Sequence, residues 1–170
     1  MDRTILYETY RLAMLIDLIK PEDLIQKIDE YITEKPIEEI PHVFYVLSLS
    51  SNRRRMLELL TDLSKGVDQD LPSCIVAGLL HREQERFGTE ELYRKAGMLA
   101  SLLADQDEEV AVEFTHLKAA NDAAQQAYGM RFKRKKARER MLAKNEKDLK
   151  DALAKYEKYT GFFNDQDWGK

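Results

Sequence analysis

The chain reads as all-α: a single-domain helical bundle or short α-solenoid of about seven or eight helices, closed by a long basic C-terminal helix. Three observations predict this. Apolar residues recur at three- and four-residue spacing along the whole sequence, which is the period of one helix face. The four prolines, Pro21, Pro36, Pro41 and Pro72, lie in the first 72 residues, each where a helix can start. Proline suits a first helical position because its missing N–H would be unpaired there anyway. The composition, 34% charged with seven glycines in 170 residues, is that of amphipathic helices and not of a disordered chain.

Taken in order, a first helix is expected over 4–19, with Leu12, Leu15, Ile16 and Ile19 on one face. Pro21 opens a second, whose stripe is Leu24, Ile25, Ile28 and Ile32. Pro41 opens a third, His42 to Leu49, apolar almost all round and so expected at the centre of the core. Its β-branched and aromatic content would also allow a strand, but no second strand-like run exists to pair with it. Ser51 or Asn52 caps a fourth helix carrying Met56, Leu57, Leu60 and Leu63. Lys65-Gly66 stops it, since glycine is free to take the left-handed cap. Asp70 or Leu71 leads through Pro72 into a fifth helix ending at Gly88. Thr89, an N-cap residue followed by an acidic first turn, begins a sixth. Asp105 or Asp107 starts a seventh, with Val110, Phe114 and Leu117, running to Gly129. The last helix is expected over 131–160. Its apolar stripe is Leu142, Leu149, Ala152, Tyr156 and Tyr159, interrupted by Asn145, and upstream the same stripe meets Arg138, Lys135 and Arg131. The face that packs in the lower half turns cationic in the upper half. Residues 131–140 are therefore expected at the surface, because a buried unpaired cation costs several kcal/mol.

Charge divides the chain. Residues 131–160 hold twelve Lys/Arg against five Asp/Glu, and residues 1–130 hold fourteen against twenty-four. The segmentation this suggests is an acidic helical core over 1–129, a basic helix over 130–160 and an aromatic tail over 161–170. Phe162, Phe163 and Trp168 of that tail are expected to fold back on the last helix; exposed, they would form an anchor for a partner.

Few motifs carry chemistry. No glycine lies in a phosphate-cradling pattern. The single cysteine, Cys74, excludes an internal disulfide and sits in an apolar run, as a small hydrophobe would. Glu39-Ile-Pro-His42 and Glu113-Phe-Thr-His116 share the Glu-x-x-His string of di-metal helical bundles, but Pro41 breaks the first. His81 and Glu85 form an i,i+4 polar pair. No catalytic residue, metal site or cofactor is expected from these. The N-terminus lacks the build of a signal peptide, and the longest apolar run is far below the ~20 residues that span a bilayer. A cytoplasmic protein without membrane contact is expected, and nothing points to a small-molecule substrate.

The strongest signal is Arg131, Phe132, Lys133, Arg134, Lys135, Lys136, Arg138 and Arg140, with Arg53, Arg54 and Arg55 as a second cluster. Three arginines at a helix start oppose the helix dipole, a hint of use. A solvated charged helix, a docking site for an acidic protein, and a nucleic-acid site in which Lys and Arg neutralise phosphates all fit this pattern. The acidic residues Glu38, Glu39, Asp105, Asp107, Glu108 and Glu109 suit a basic partner instead, as in nuclease inhibitors. The expected function is thus a non-enzymatic interaction, adaptor or inhibitor protein with a protein partner. The alternative is an accessory subunit that binds the RNA or DNA backbone through 131–140, and a helical metalloenzyme comes third.

Overall fold

The computed structural model describes residues 2–50, 52–103, 109–126 and 133–164, with side chains at all of these except 133, 134 and 164. The protein is all-α, with about eight helices, and no strand occurs among the described residues. No described helix is long and apolar enough to cross a membrane. The chain forms two compact units, one built from 1–72 together with 161–170, the other from 73–160. The long basic helix shares its unit with the three helices before it.

The first unit contains α1 (Arg3–Leu15), α2 (Pro21–Glu34), α3 (His42–Ser48) and α4 (Arg53–Leu63). Asp2 caps α1 by accepting the Thr4 N–H at 3.0 Å. The helix ends four residues earlier than its apolar stripe suggests. Asp17 adopts a left-handed φ of 59°, and the Leu18 and Asp17 N–H groups donate back to Ala13 and Met14 at 2.8 and 3.0 Å. This is the two-bond helix stop that glycine usually supplies, here formed by aspartate, one of the few other residues that tolerates the conformation. The core of this unit gathers Leu6, Tyr10, Met14, Leu24, Ile28, Phe44, Leu47, Met56 and Leu60. Glu8, buried in α1, is satisfied by the Nε and one Nη of Arg11 and by the Ser64 hydroxyl at 2.7 Å, so the charge is paired where it is desolvated. Phe163 packs its ring 5.0 Å from Tyr10 of α1, so this tail aromatic joins the first unit's core and not the last helix. Phe162 is half exposed, and Trp168 lies outside the described residues.

Two expectations fail here. The third helix is not central: it has only seven residues, buries Phe44 and Leu47, and leaves Tyr45 and Leu49 in solvent. An apolar composition marks what a segment can bury, but a two-turn helix at the surface has only one inward side. Cys74 is half-buried, not enclosed.

The second unit contains α5 (Asp70–Glu83, from Ser73 onward), α6 (Thr89–Leu103), α7 (Glu109–Gln126) and α8 (Lys133–Ala154), followed by a 3-10 turn at Glu157–Tyr159 and the start of α9 (Thr160–Asn164). α6 packs on α7, and α7 on α8. Leu149, Ala152 and Tyr156 are buried as the stripe predicts, Leu142 and Tyr159 are half-buried, and Leu153, outside the stripe, is buried as well. The helix does not reach 160. From Lys155 the backbone tightens to three-residue hydrogen bonds, which seats Tyr156 edge-on to Phe114 with centroids 6.1 Å apart. Gly78 makes this possible: a Cβ there would lie 2.4 Å from the Tyr156 carbonyl oxygen.

Candidate functional site

The sequence-predicted site residues fall in two places. Arg131 and Phe132 lie outside the described residues, as do the side chains of Lys133 and Arg134. Of the rest, Lys135, Lys136 and Arg140 are exposed on α8 and Arg138 is half-buried. Arg53, Arg54 and Arg55 begin α4 in the other unit.

The geometry of α8 follows from what its inner face must satisfy. Asn145 interrupts the apolar stripe yet is buried. Its side-chain amide donates to the Ala120 carbonyl on α7 at 3.1 Å, and its own carbonyl accepts the Tyr93 hydroxyl of α6 at 2.6 Å. Burial, with Asp148 and Glu146 nearby, pushes the Tyr93 hydroxyl up to about 12. Residue 145 thus ties α8 to α7 through its side chain and to α6 through its backbone carbonyl, on the side of α8 that faces inward. Arg138 lies on that inward side, its guanidinium turned toward the Ala124 carbonyl.

At 3.6 residues per turn, the opposite side carries Lys136, Arg140, Lys144 and Lys147 within an arc of about 80°, all exposed. None of these four side chains has a hydrogen-bond or ion-pair partner among the described residues. Lys144 and Lys147 were missed in the sequence because the net charge of the run falls after 140; the four-residue spacing from Lys136 is the signal that finds them. Below the stripe, charges are matched: Lys150 pairs with Glu146 at 3.1 Å, and Lys155 pairs with Glu113, which raises the lysine's pKa.

The arginine cluster is different. Arg53 donates to the Met14 carbonyl at the end of α1 at 2.5 Å and pairs with Asp17 at 2.7 Å. Arg54 and Arg55 both reach Glu58, at 3.2 and 3.4 Å. Asn52 caps the helix by accepting both the Arg54 and Arg55 N–H groups. An open groove of about 790 Å³ runs beside these arginines, but Glu58 and Asp62 line it too. The arginines that seemed to oppose the α4 dipole are held by a helix C-terminus and two carboxylates.

The first unit also presents an apolar face, built in part from the third helix that the sequence alone places at the centre of the core. Tyr45 of α3 and Leu49, which caps its C-terminus, are 36% and 85% exposed, and Ile37, in the preceding 3-10 turn Ile37–Glu39, is 77% exposed. Glu34, Glu38, Glu39 and His42 are exposed around them in the sequence. For Ile37 the signal was available, since it lies between a proline and two glutamates; for Leu49 the sequence carries none.

The histidines lie apart from any metal-type arrangement, and among the described residues no three His, Cys, Asp or Glu side chains converge. Glu113 accepts from Lys155 and from the Tyr156 hydroxyl at 3.1 Å, while His116 is exposed. His81 meets Gln84 at 3.3 Å and Glu157 at 3.7 Å. Glu85 sits in the 3-10 turn Gln84–Arg86, where the four-residue helical register with His81 is lost. Of the acidic candidates, Glu109 is exposed at the start of α7, and Asp105, Asp107 and Glu108 lie outside the described residues. No protein-family model, curated protein or solved structure matches the chain.

Proposed function

We propose that this is a non-enzymatic interaction protein that docks a partner protein through the exposed face of α3 and the turn before it. The observation that carries the reading is the exposure of Ile37, Tyr45 and Leu49 within thirteen residues. Single exposed apolar residues are ordinary, whereas a tyrosine and two aliphatic side chains on adjoining elements have the composition of an interface centre. Charge narrows the partner. The first unit holds ten Lys/Arg against sixteen Asp/Glu, and Glu34, Glu38 and Glu39 flank the apolar residues. An apolar segment bordered by Lys or Arg complements that rim, which favours association and rejects acidic competitors.

The test compares the full chain with a Tyr45→Ser/Leu49→Ser variant and with a Lys136→Glu/Arg140→Glu/Lys144→Glu/Lys147→Glu variant. Each is used to capture partners from nuclease-treated extract, with quantitative readout. A basic protein retained by the second variant and reduced more than about tenfold by the first, as loss of an interface centre predicts, supports the reading. Capture that is indifferent to Tyr45 and Leu49 overturns it. Concentration-dependent dimers of the pure protein, lost in the serine variant, would make the partner a second copy and overturn the basic-partner assignment.

A further inference from the structure

We infer that the outer face of α8 is a separate site for the sugar-phosphate backbone of a nucleic-acid duplex, with Lys136, Arg140, Lys144 and Lys147 as the phosphate contacts. The inference is independent of the α3 surface, which lies in the other unit.

Three features of the helix carry it. The first is spacing. At 1.5 Å per residue, the four cations form a row about 16 Å long with steps of about 4.5 to 6 Å, comparable to the separation of successive phosphates along a backbone. The second is that the charge is available. Lys118 is matched by Asp122 and Arg94 by Glu91, whereas these four have no described side-chain partner; Lys20, Lys65, Arg82 and Lys135 share that state singly, and only these four stand in one row. Asp151 marks where the row ends, one turn beyond Lys147. The third is what the row lacks. Ala143 is the uncharged residue at its middle, and Met141 falls about 100° from Arg140, off the row. A lysine-rich strip without an aromatic or large aliphatic side chain is a poor centre for a protein interface, where lysine is depleted. It is a sufficient surface for counterion release from phosphates.

The geometry also selects the form of nucleic acid. Binding of single strands depends on bases stacking on aromatic rings, and no aromatic side chain shares the exposed arc of Lys136 to Lys147. With its opposite side packed through Asn145, Leu149 and Ala152, α8 presents only its cationic side. It can lie along the backbone. A rigid row of charges and a pre-ordered duplex backbone each lose little freedom on binding. Contacts to phosphates alone carry no sequence information. The protein's net charge of −4 does not prevent this, since charges more than about 8–10 Å away are largely screened at physiological salt.

The experiment is fluorescence anisotropy of the full chain with labelled mixed-sequence DNA and RNA duplexes and the matching single strands, from about 50 to 200 mM salt, a range over which phosphate contacts are read out. Four phosphate contacts predict a log–log slope of about −3.6, an affinity loss of roughly 150-fold across that range, and a Kd on the order of 10⁻⁵ M near 0.15 M salt. Exchange of all four cations for glutamine should remove the binding with an unchanged circular-dichroism spectrum, and Lys144→Gln alone should flatten the slope by about one unit. Arg54→Gln should leave the slope unaltered. Three results overturn the inference: no duplex binding at 0.15 M salt with the protein at ~10⁻⁴ M, the weak end of the non-specific range; a slope indifferent to Lys144→Gln; or equal affinity for polyglutamate of matched charge. Single strands that bind more tightly than duplexes would overturn the duplex assignment.

Discussion

Two basic clusters stand on this molecule, and they do opposite things. The charges of Arg53, Arg54 and Arg55 are satisfied within the first unit: Arg53 clasps the end of α1, and the other two share Glu58 on their own helix. Lys136, Arg140, Lys144 and Lys147 touch no described side chain with their charges and stand in a row. A run of three adjacent arginines places its members about 100° apart around a helix, so each finds a different neighbour. Cations four residues apart share one side and see the same solvent. Spacing, more than density, decides whether positive charge becomes a surface.

The largest effect that would sharpen this contrast lies in what aims the α8 row. Asn145→Asp sets a carboxylate against the Ala120 carbonyl in place of the donating amide, and leaves a buried charge without its hydrogen bond, at a cost of about 1–3 kcal/mol. Urea denaturation should show the loss. A variant as stable as the parent would mean that α8 is oriented by apolar packing alone.

A smaller effect is expected at the first cluster. Arg53→Ala should cost roughly 1 kcal/mol, because it removes one charged donor from both the Met14 carbonyl and the Asp17 carboxylate, whereas Arg54→Ala should stay within about 0.5 kcal/mol, as exposed helix pairs do. Equal effects would break the distinction drawn within the cluster. Neither change should alter duplex binding.

The smallest effect is a pH dependence from a carboxylate that has partners. The side-chain hydrogen bond from Arg94, followed by that from Lys95, lowers Glu91 from 4.5 to about 2. A carboxylate whose folded pKa is depressed contributes stability above its unfolded value and loses it as pH falls toward the folded one. The contribution should therefore be present above about pH 4.5 and fade toward pH 2. Solvent exposure of Glu91 and Arg94 keeps it small. Denaturation midpoints of the parent and Glu91→Gln should converge as pH falls through this window, and parallel curves would show that the pair adds nothing.

Much of the fold was legible in the residues. Pro21 and Thr89 begin helices where their local chemistry says they should, Asn52 caps α4, and Gly66, at φ 80°, follows its end. Each of these depends on neighbours within about four positions. The stop of α1 was not legible, because an aspartate occupies the place where glycine is the usual signal. Nor was the role of Asn145: its side-chain partner is 25 residues away, so in one dimension it reads as an interruption of a stripe and in three as a tie.

By itself, then, the sequence determined the all-helical class, the approximate helix boundaries and the segregation of positive charge into the last third of the chain, all consequences of local period, caps and composition. Only the tertiary structure decided which positive charges are partnered, that α3 turns Tyr45 and Leu49 outward, and that Phe163 packs against Tyr10. The reason is physical. A helix is specified by bonds four residues long, but whether a charge or an apolar face is satisfied depends on groups such as Arg53 and Met14, 39 residues apart, which only folding brings within reach.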